Sequence, residues 1–193
     1  MDTSRHIAQR LREERRQRGW SLDELAGRSG VSRAMISKIE RGASTPTAVL
    51  LARLSDALGL TLSALMFEAG PAAPHAVTRL AEQPQWTDPA SGYTRRLVCA
   101  AEREGDAEIV AVELPAGARV RFDPAEHLRI AGRIVLLDGH IEVVAAGEML
   151  TLAPGDCAQI AIHLAHELHN PGATCARYLV VLRRQALPKR PAA

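Results

Sequence analysis

The sequence predicts two domains of different class: an all-α N-terminal third of five short helices, then an all-β barrel built from many short strands. Three observations carry this. Helix-capping signals recur from Ser21 to Thr61, a Gly70-Pro-Ala-Ala-Pro74 break follows, and beyond it the helical period disappears. Short apolar or alternating runs take over, separated by Pro-Ala-Gly, Asp-Gly, Ala-Gly, Pro-Gly-Asp and Asn-Pro-Gly. The breaks divide the chain into a helical domain over residues 1–69, a linker over 70–76, a barrel over 77–185 and a flexible tail over 186–193.

The helices follow in order. Arg5 to Arg18 places Ile7, Ala8 and Leu11 at helical spacing and closes at Gly19. Ser21 with Glu24 reads as a capping box for a helix carrying Leu22, Leu25 and Ala26. Gly30-Val31 is a turn, and Ser32 caps a third helix with Ile36 and Ile39 facing inward and Arg33, Ala34, Ser37 and Lys38 facing out. Gly42 stops it, Ala48 to Leu58 forms a fourth helix ended by Gly59, and Thr61 to Phe67 a fifth. Two helices meeting at a tight turn, the second showing small, polar and basic residues, have the anatomy of a helix-turn-helix that reads the DNA major groove. Charge agrees: residues 1–69 hold 11 basic and 8 acidic groups, against 13 and 14 in the remainder. The competing reading of these helices is a bundle serving protein contacts, to which the cationic exposed face is opposed.

The expected strands are 76–80, 93–100, 108–114, 119–122, 133–137, 140–145, 149–152, 157–162 and 175–182. Leu137-Asp138-Gly139-His140 carries the signal of a tight hairpin. No apolar run approaches the roughly 20 residues that span a bilayer, and the charged start lacks the apolar core of a signal peptide, so a cytoplasmic protein is expected. Cys99, Cys157 and Cys175 are scattered without C-x-x-C spacing, which favours free, buried, inert thiols over a disulfide, a zinc site or a redox sensor.

From about Ile7 to Phe67 the chain resembles the phage-repressor-like, or XRE, helix-turn-helix family. The matching residues are Gly-Trp-Ser-Leu-Asp-Glu-Leu-Ala, Gly-Val-Ser, Ile-Ser-Lys-Ile-Glu-Arg-Gly and Leu-Ser-Asp-Ala-Leu-Gly. The resemblance implies a third helix in the major groove with Ser32, Arg33, Ala34, Ser37 and Lys38 at base edges. It places Ser21, Arg41, Ser44 and Thr45 at phosphates, and it implies an internal ion pair between Arg15 and Glu40. The bland reading of Arg15 is a solvated charge. A single reader covers few base pairs, so a homodimer on a roughly palindromic double-stranded operator is expected, its readers ~34 Å apart.

The second part resembles a cupin, a small double-stranded β-helix or jelly-roll barrel. Gly147, Leu152-Ala-Pro154-Gly155-Asp156, His166 and Asn170 match its second motif. The first motif is eroded. Aligned on Leu136-Leu-Asp-Gly139, Ala125 falls at the first histidine, His127 at the second and Gly132 at the glutamate, so two of the family's four metal ligands are missing. No metal or other cofactor is therefore expected; if one binds, His127 and His166 are what remains to hold it. His127, His166 and Arg121 are instead candidates for an effector pocket, with Arg129 and Arg133 nearby in sequence; the two histidines are otherwise satisfied pocket residues.

Together the resemblances imply a sequence-specific transcriptional regulator, more often a repressor, whose barrel senses a small molecule and dimerises the heads. The alternative from another class is a metal-dependent cupin isomerase or dioxygenase fused to a DNA-binding head. A third reading keeps the barrel for dimerisation alone.

Overall fold

All five expected helices form, and a hydroxyl opens four of them. The computed structural model describes residues 3–68, 77–101, 106–125, 127 and 130–184, so the expected linker and tail, and Glu126 and Arg129, lie outside it. The helices are α1 (Thr3–Gln17), α2 (Leu22–Ser29), α3 (Arg33–Glu40), α4 (Ala48–Ala57) and α5 (Leu62–Met66). Ser21, Ser32, Thr47 and Thr61 each accept from a backbone N–H in the first turn of α2 to α5, satisfying a donor the helix itself leaves orphaned. At α2 the box is complete: Glu24 also accepts from the Ser21 amide at 2.6 Å. Gly30 ends α2 at φ +65°, a left-handed conformation that suits glycine. Ile7, Leu11, Leu25, Ile36, Ile39, Leu51 and Leu54 are buried together as the head's core.

The second part is two antiparallel sheets facing across a shared core. One has the order β1-β2-β3-β10-β5-β8 and the other β4-β9-β6-β7. The strands are β1 (Gln85–Thr87), β2 (Thr94–Cys99), β3 (Ala107–Leu114), β4 (Arg119–Phe122), β5 (Ile130–Asp138), β6 (Ile141–Ala145), β7 (Glu148–Leu152), β8 (Cys157–Ala161), β9 (His166–His169) and β10 (Ala176–Arg184). Alternation decides which side chains enter: Val110, Val112, Ile134, Leu136, Val180 and Leu182 point in, and their neighbours point out.

Three expectations are corrected. The strand expected over 76–80 does not form in its described residues: Val77 to Arg79 has no regular structure, Leu80–Glu82 is a 3₁₀ turn, and Val77 and Leu80 are exposed, with no partner strand among the described residues to make use of their alternation. Strands β1 and β9 form although their short polar sequences give no strand signal, because β2 pairs with the first and β4 and β6 flank the second. The Asp138-Gly139 turn is not a hairpin. β5 pairs with β8 and β10, and β6 with β7 and β9, so the turn carries the chain from one sheet to the other. Gly139 (φ +84°) is pressed so close to β10 that a Cβ there would lie 2.8 Å from Ala176 Cα. The true two-residue hairpin is β6–β7, where Ala146 (φ 52°) and Gly147 (φ 84°) both take positive φ.

The helical head docks on the barrel through polar contacts. Thr61 donates to Glu108 at 2.9 Å, Arg95 to Ser63 at 3.4 Å, the Ala48 amide to Asp88 at 3.3 Å, and Arg53 to Asp123 at 2.8 Å. His127 meets Asp56 through both its amide (3.0 Å) and Nδ1 (3.1 Å).

Candidate nucleic-acid interface and barrel cavity

α3 carries two faces. Ile36 and Ile39 are buried against α1 and α2, while Ser32, Arg33, Ala34 and Lys38 are exposed and Ser37 is half-buried. Arg33 meets Asp23 of α2 at 3.5 Å, with the two side chains 66% and 74% exposed. A pair that open to water is worth little and leaves the guanidinium ready to exchange partners. Ser37 accepts from Arg41 at 2.7 Å, which holds the arginine along the end of α3. Arg41 and Thr45 are exposed, Ser44 is half-buried, and Ser21 stands exposed at the start of α2.

Behind this face the Arg15–Glu40 pair forms as a bidentate contact, Nε to Oε1 at 2.6 Å and Nη2 to Oε2 at 2.8 Å. Arg15 also donates to the Trp20 carbonyl at 2.8 Å, and Arg12 to the Glu40 carbonyl at 2.6 Å. The C-terminal end of α3 is thus tied to α1 and to the segment entering α2.

The barrel encloses a cavity open at the domain boundary. It holds about 110 Å³ in which the centre of a water-sized molecule can lie. One water takes roughly 10–15 Å³ of such space, so a small organic molecule fits. Of the three residues expected to share a pocket, only His166 lines it. Its ring stacks on Phe122 with centroids 5.0 Å apart. Its Nδ1 lies 2.9 Å from the Leu164 carbonyl, the arrangement of an Nδ1–H donor that leaves Nε2 an acceptor. Arg121 sits between inward Val120 and Phe122 and is turned out to solvent. His127 is held by Asp56 and is not among the lining residues. His163 lines the cavity with Nδ1 3.3 Å from the Ile130 carbonyl, and His169 faces the other way onto Glu142 at 2.8 Å.

The residues present do not fit the metal that a cupin resemblance implies. Ala125 offers no ligand atom, and the space that a side chain at Gly132 would enter is filled by the Ile162 side chain. Among the described residues no group of three His, Cys, Asp or Glu is placed to hold a metal ion. The cysteines are unbridged, but none is buried as expected: Cys99 and Cys157 are exposed, and Cys175 is half-buried. Burial, then the nearby Glu113 carboxylate, pushes the Cys175 thiol up.

Burial also pushes the His166 imidazole down, against the Leu164 carbonyl, which raises it. A histidine buried neutral takes up protons more readily when unfolded, so its contribution is complete above the unfolded value near 6.5 and is lost as pH falls through the folded value. The melting temperature is therefore expected to fall on acidification from pH 7 to 5, with a shallower slope in His166→Gln. Equal slopes in thermal melts would remove His166 as the cause.

Sequence reading did not single out Tyr93 and Arg95 of the barrel, or Ser55, Asp56 and Thr61 of the head, all of which line the cavity. Alternation of Tyr93, Arg95 and Leu97 along β2 was a signal for the barrel pair.

The helix-turn-helix family HTH_3 matches residues 11–65. The HTH-type transcriptional regulator SutR of Escherichia coli K12 is 27% identical over 173 residues, 88% of this chain and 89% of SutR. An uncharacterised HTH-type transcriptional regulator of Sinorhizobium fredii, y4dJ, is 34% identical over 61 residues, 32% of this chain and 79% of that protein. Among solved structures, an HTH_3 family transcriptional regulator from Vibrio cholerae superposes with a TM-score of 0.77 at 23% identity, covering 96% of this chain and all of the other, a likeness of fold.

Proposed function

We infer the function from one premise: this chain belongs to the HTH-type transcriptional regulators. The proposed role is a cytoplasmic repressor that binds a palindromic operator as a homodimer and answers to a small molecule in the barrel. One observation carries the DNA reading: α3 buries Ile36 and Ile39 while leaving Ser32, Arg33, Ala34 and Lys38 open to solvent. Arg33 spans guanine O6 and N7, Ala34 meets a thymine methyl, and Ser37 and Lys38 extend the base contacts. Ser21, Arg41, Ser44 and Thr45 hold phosphates.

The dimer reading draws on the outer face of the six-stranded sheet. Ala111, Leu179 and Val135 stand in one cross-strand row, Ile109 and Val181 in the next, with Leu137 exposed beside them. Such a face is suited to a second copy. The enzyme alternative requires a metal with an open position, and the ligand set at Ala125 and Gly132 does not supply one.

The test is selection of sites from a random duplex library, followed by titration of the selected duplex. The expected site has two half-sites about 34 Å apart on one face of the DNA. Arg33→Ala is expected to cost ~1–3 kcal/mol on that site and to relax preference at one base position. Lys38→Ala is expected to keep the phosphate contacts and salt slope while losing discrimination, whereas Arg41→Ala lowers affinity on all sequences and flattens the slope. Equal losses for Arg33→Ala on selected and random DNA would sink its role as a base reader.

A further inference from the structure

Arg95 on β2 is 5% exposed and lines the barrel cavity. Its Nη1 donates to the Tyr93 hydroxyl at 2.8 Å and its Nη2 to the Ser63 hydroxyl of α5 at 3.4 Å. Both partners are neutral, and among the described residues Nε has no hydrogen-bond partner. A guanidinium keeps its charge throughout the pH range of folded proteins, and a charge sealed from water calls for an opposite charge within hydrogen-bond reach.

Among the described residues, none of the neighbouring carboxylates is hydrogen-bonded to Arg95. Glu108, buried on the same sheet, accepts from Thr61 through Oε2, while its Oε1 has no hydrogen-bond partner among the described residues; it is not part of the cavity lining and reaches Arg95 through Coulomb attraction rather than a bond. Asp123 and Asp56 stand on the lining but are held by Arg53 and His127. Most of the remaining wall is apolar: Phe122 and Leu168 from one sheet, Ile134, Ile160, Val180 and Leu182 from the other.

We propose that this cavity binds a small carboxylate bearing an apolar chain, with Arg95 holding the carboxylate and the barrel wall holding the chain. The inference rests on the reading of the barrel as an effector domain and names the class of effector. The planar fork of a guanidinium matches a carboxylate with two parallel bonds. One buried cation in an apolar chamber suits one negative charge rather than a dianion. The long contact to Ser63 is the bond that an arriving carboxylate displaces, so occupancy bears directly on α5 of the head.

The test uses the full chain and the straight-chain alkanoates from butyrate to octanoate, each set against the alcohol and the amine of equal length. The carboxylates are expected to raise the melting temperature by about 5–10 °C at a hundredfold excess over their dissociation constant, and the alcohols and amines to leave it unchanged. Arg95→Met is expected to weaken carboxylate binding by roughly a hundredfold in calorimetry. Should that variant fail to fold with Glu108 left uncompensated, Arg95→Met/Glu108→Gln keeps the site neutral and gives the same comparison. Alcohols that bind as well as carboxylates, an Arg95 variant that binds like the parent, or no binding across the series would each overturn the proposal. DNA affinity measured in parallel separates the two readings. Alkanoate binding that leaves DNA affinity unchanged supports the site and removes the effector role; DNA binding without any bound alkanoate removes the site and leaves the head's role standing.

Discussion

Replacing Arg15 by alanine is expected to lower stability by about 3–4 kcal/mol, near the low end of what breaking a buried ion pair costs. The Glu40 side chain is 6% exposed and that of Arg15 11%, so the carboxylate left behind has little water to turn to. Arg12, at 3.9 Å, keeps part of the compensation, which is why the loss stays at that end of the range. The Trp20 carbonyl also loses its donor. For a chain of this size the melting temperature should fall by roughly 10 °C. Arg15→Met with Glu40→Leu should recover most of it, since two apolar side chains leave no charge stranded. A single-variant loss below 1 kcal/mol in urea melts would mean that the pair behaves as a solvated one.

Asn170→Ala is expected to cost a similar amount, about 3–5 kcal/mol. Asn170 is fully buried and serves four backbone groups. Its Nδ2 donates to the carbonyls of Leu114 (2.8 Å), Pro115 (3.1 Å) and Thr174 (2.8 Å), and its Oδ1 accepts from the Gly172 amide at 2.9 Å. Each buried group left without a partner costs about 1–3 kcal/mol, and here the loops after β3 and β9 lose their common tie at once. Asn170→Asp should be almost as damaging, because it turns a donor toward three carbonyls into an acceptor. A melting temperature for Asn170→Ala within 2–3 °C of the parent would show that water takes over these bonds.

The head was legible in the sequence because its signals are local. A capping hydroxyl and the apolar residues that follow it lie within one or two turns, so Ser21, Ser32 and Thr61 announce their helices regardless of the rest of the chain. Barrel strands with strong alternation, such as Glu108 to Leu114, were legible for the same reason. What failed depends on partners far along the chain. The polar segments Gln85–Thr87 and His166–His169 become strands only where a neighbour offers its edge, and Asp138-Gly139 has the residues of a hairpin in a place where the next strand pairs elsewhere. His127 left the expected pocket because Asp56, 71 residues earlier, captures it, and no spacing rule reveals that. Arg95 was visible as an inward position on β2; its neighbours Ser63 and Thr61 come from the other domain.

The cavity has one wall from each domain: Ser55, Asp56, Leu60 and Thr61 of the head close a chamber whose floor is the barrel. An occupant then favours the docked arrangement by whatever free energy it gains from that wall, and thermodynamic linkage makes the effect run both ways. If operator DNA prefers heads shifted from this position, it must loosen the occupant by the same factor by which the occupant loosens DNA. If DNA prefers them docked as here, each tightens the other. Either way, the affinity of an occupant for free protein and for the protein–DNA complex gives the sign of the coupling between cavity and DNA from two equilibrium constants.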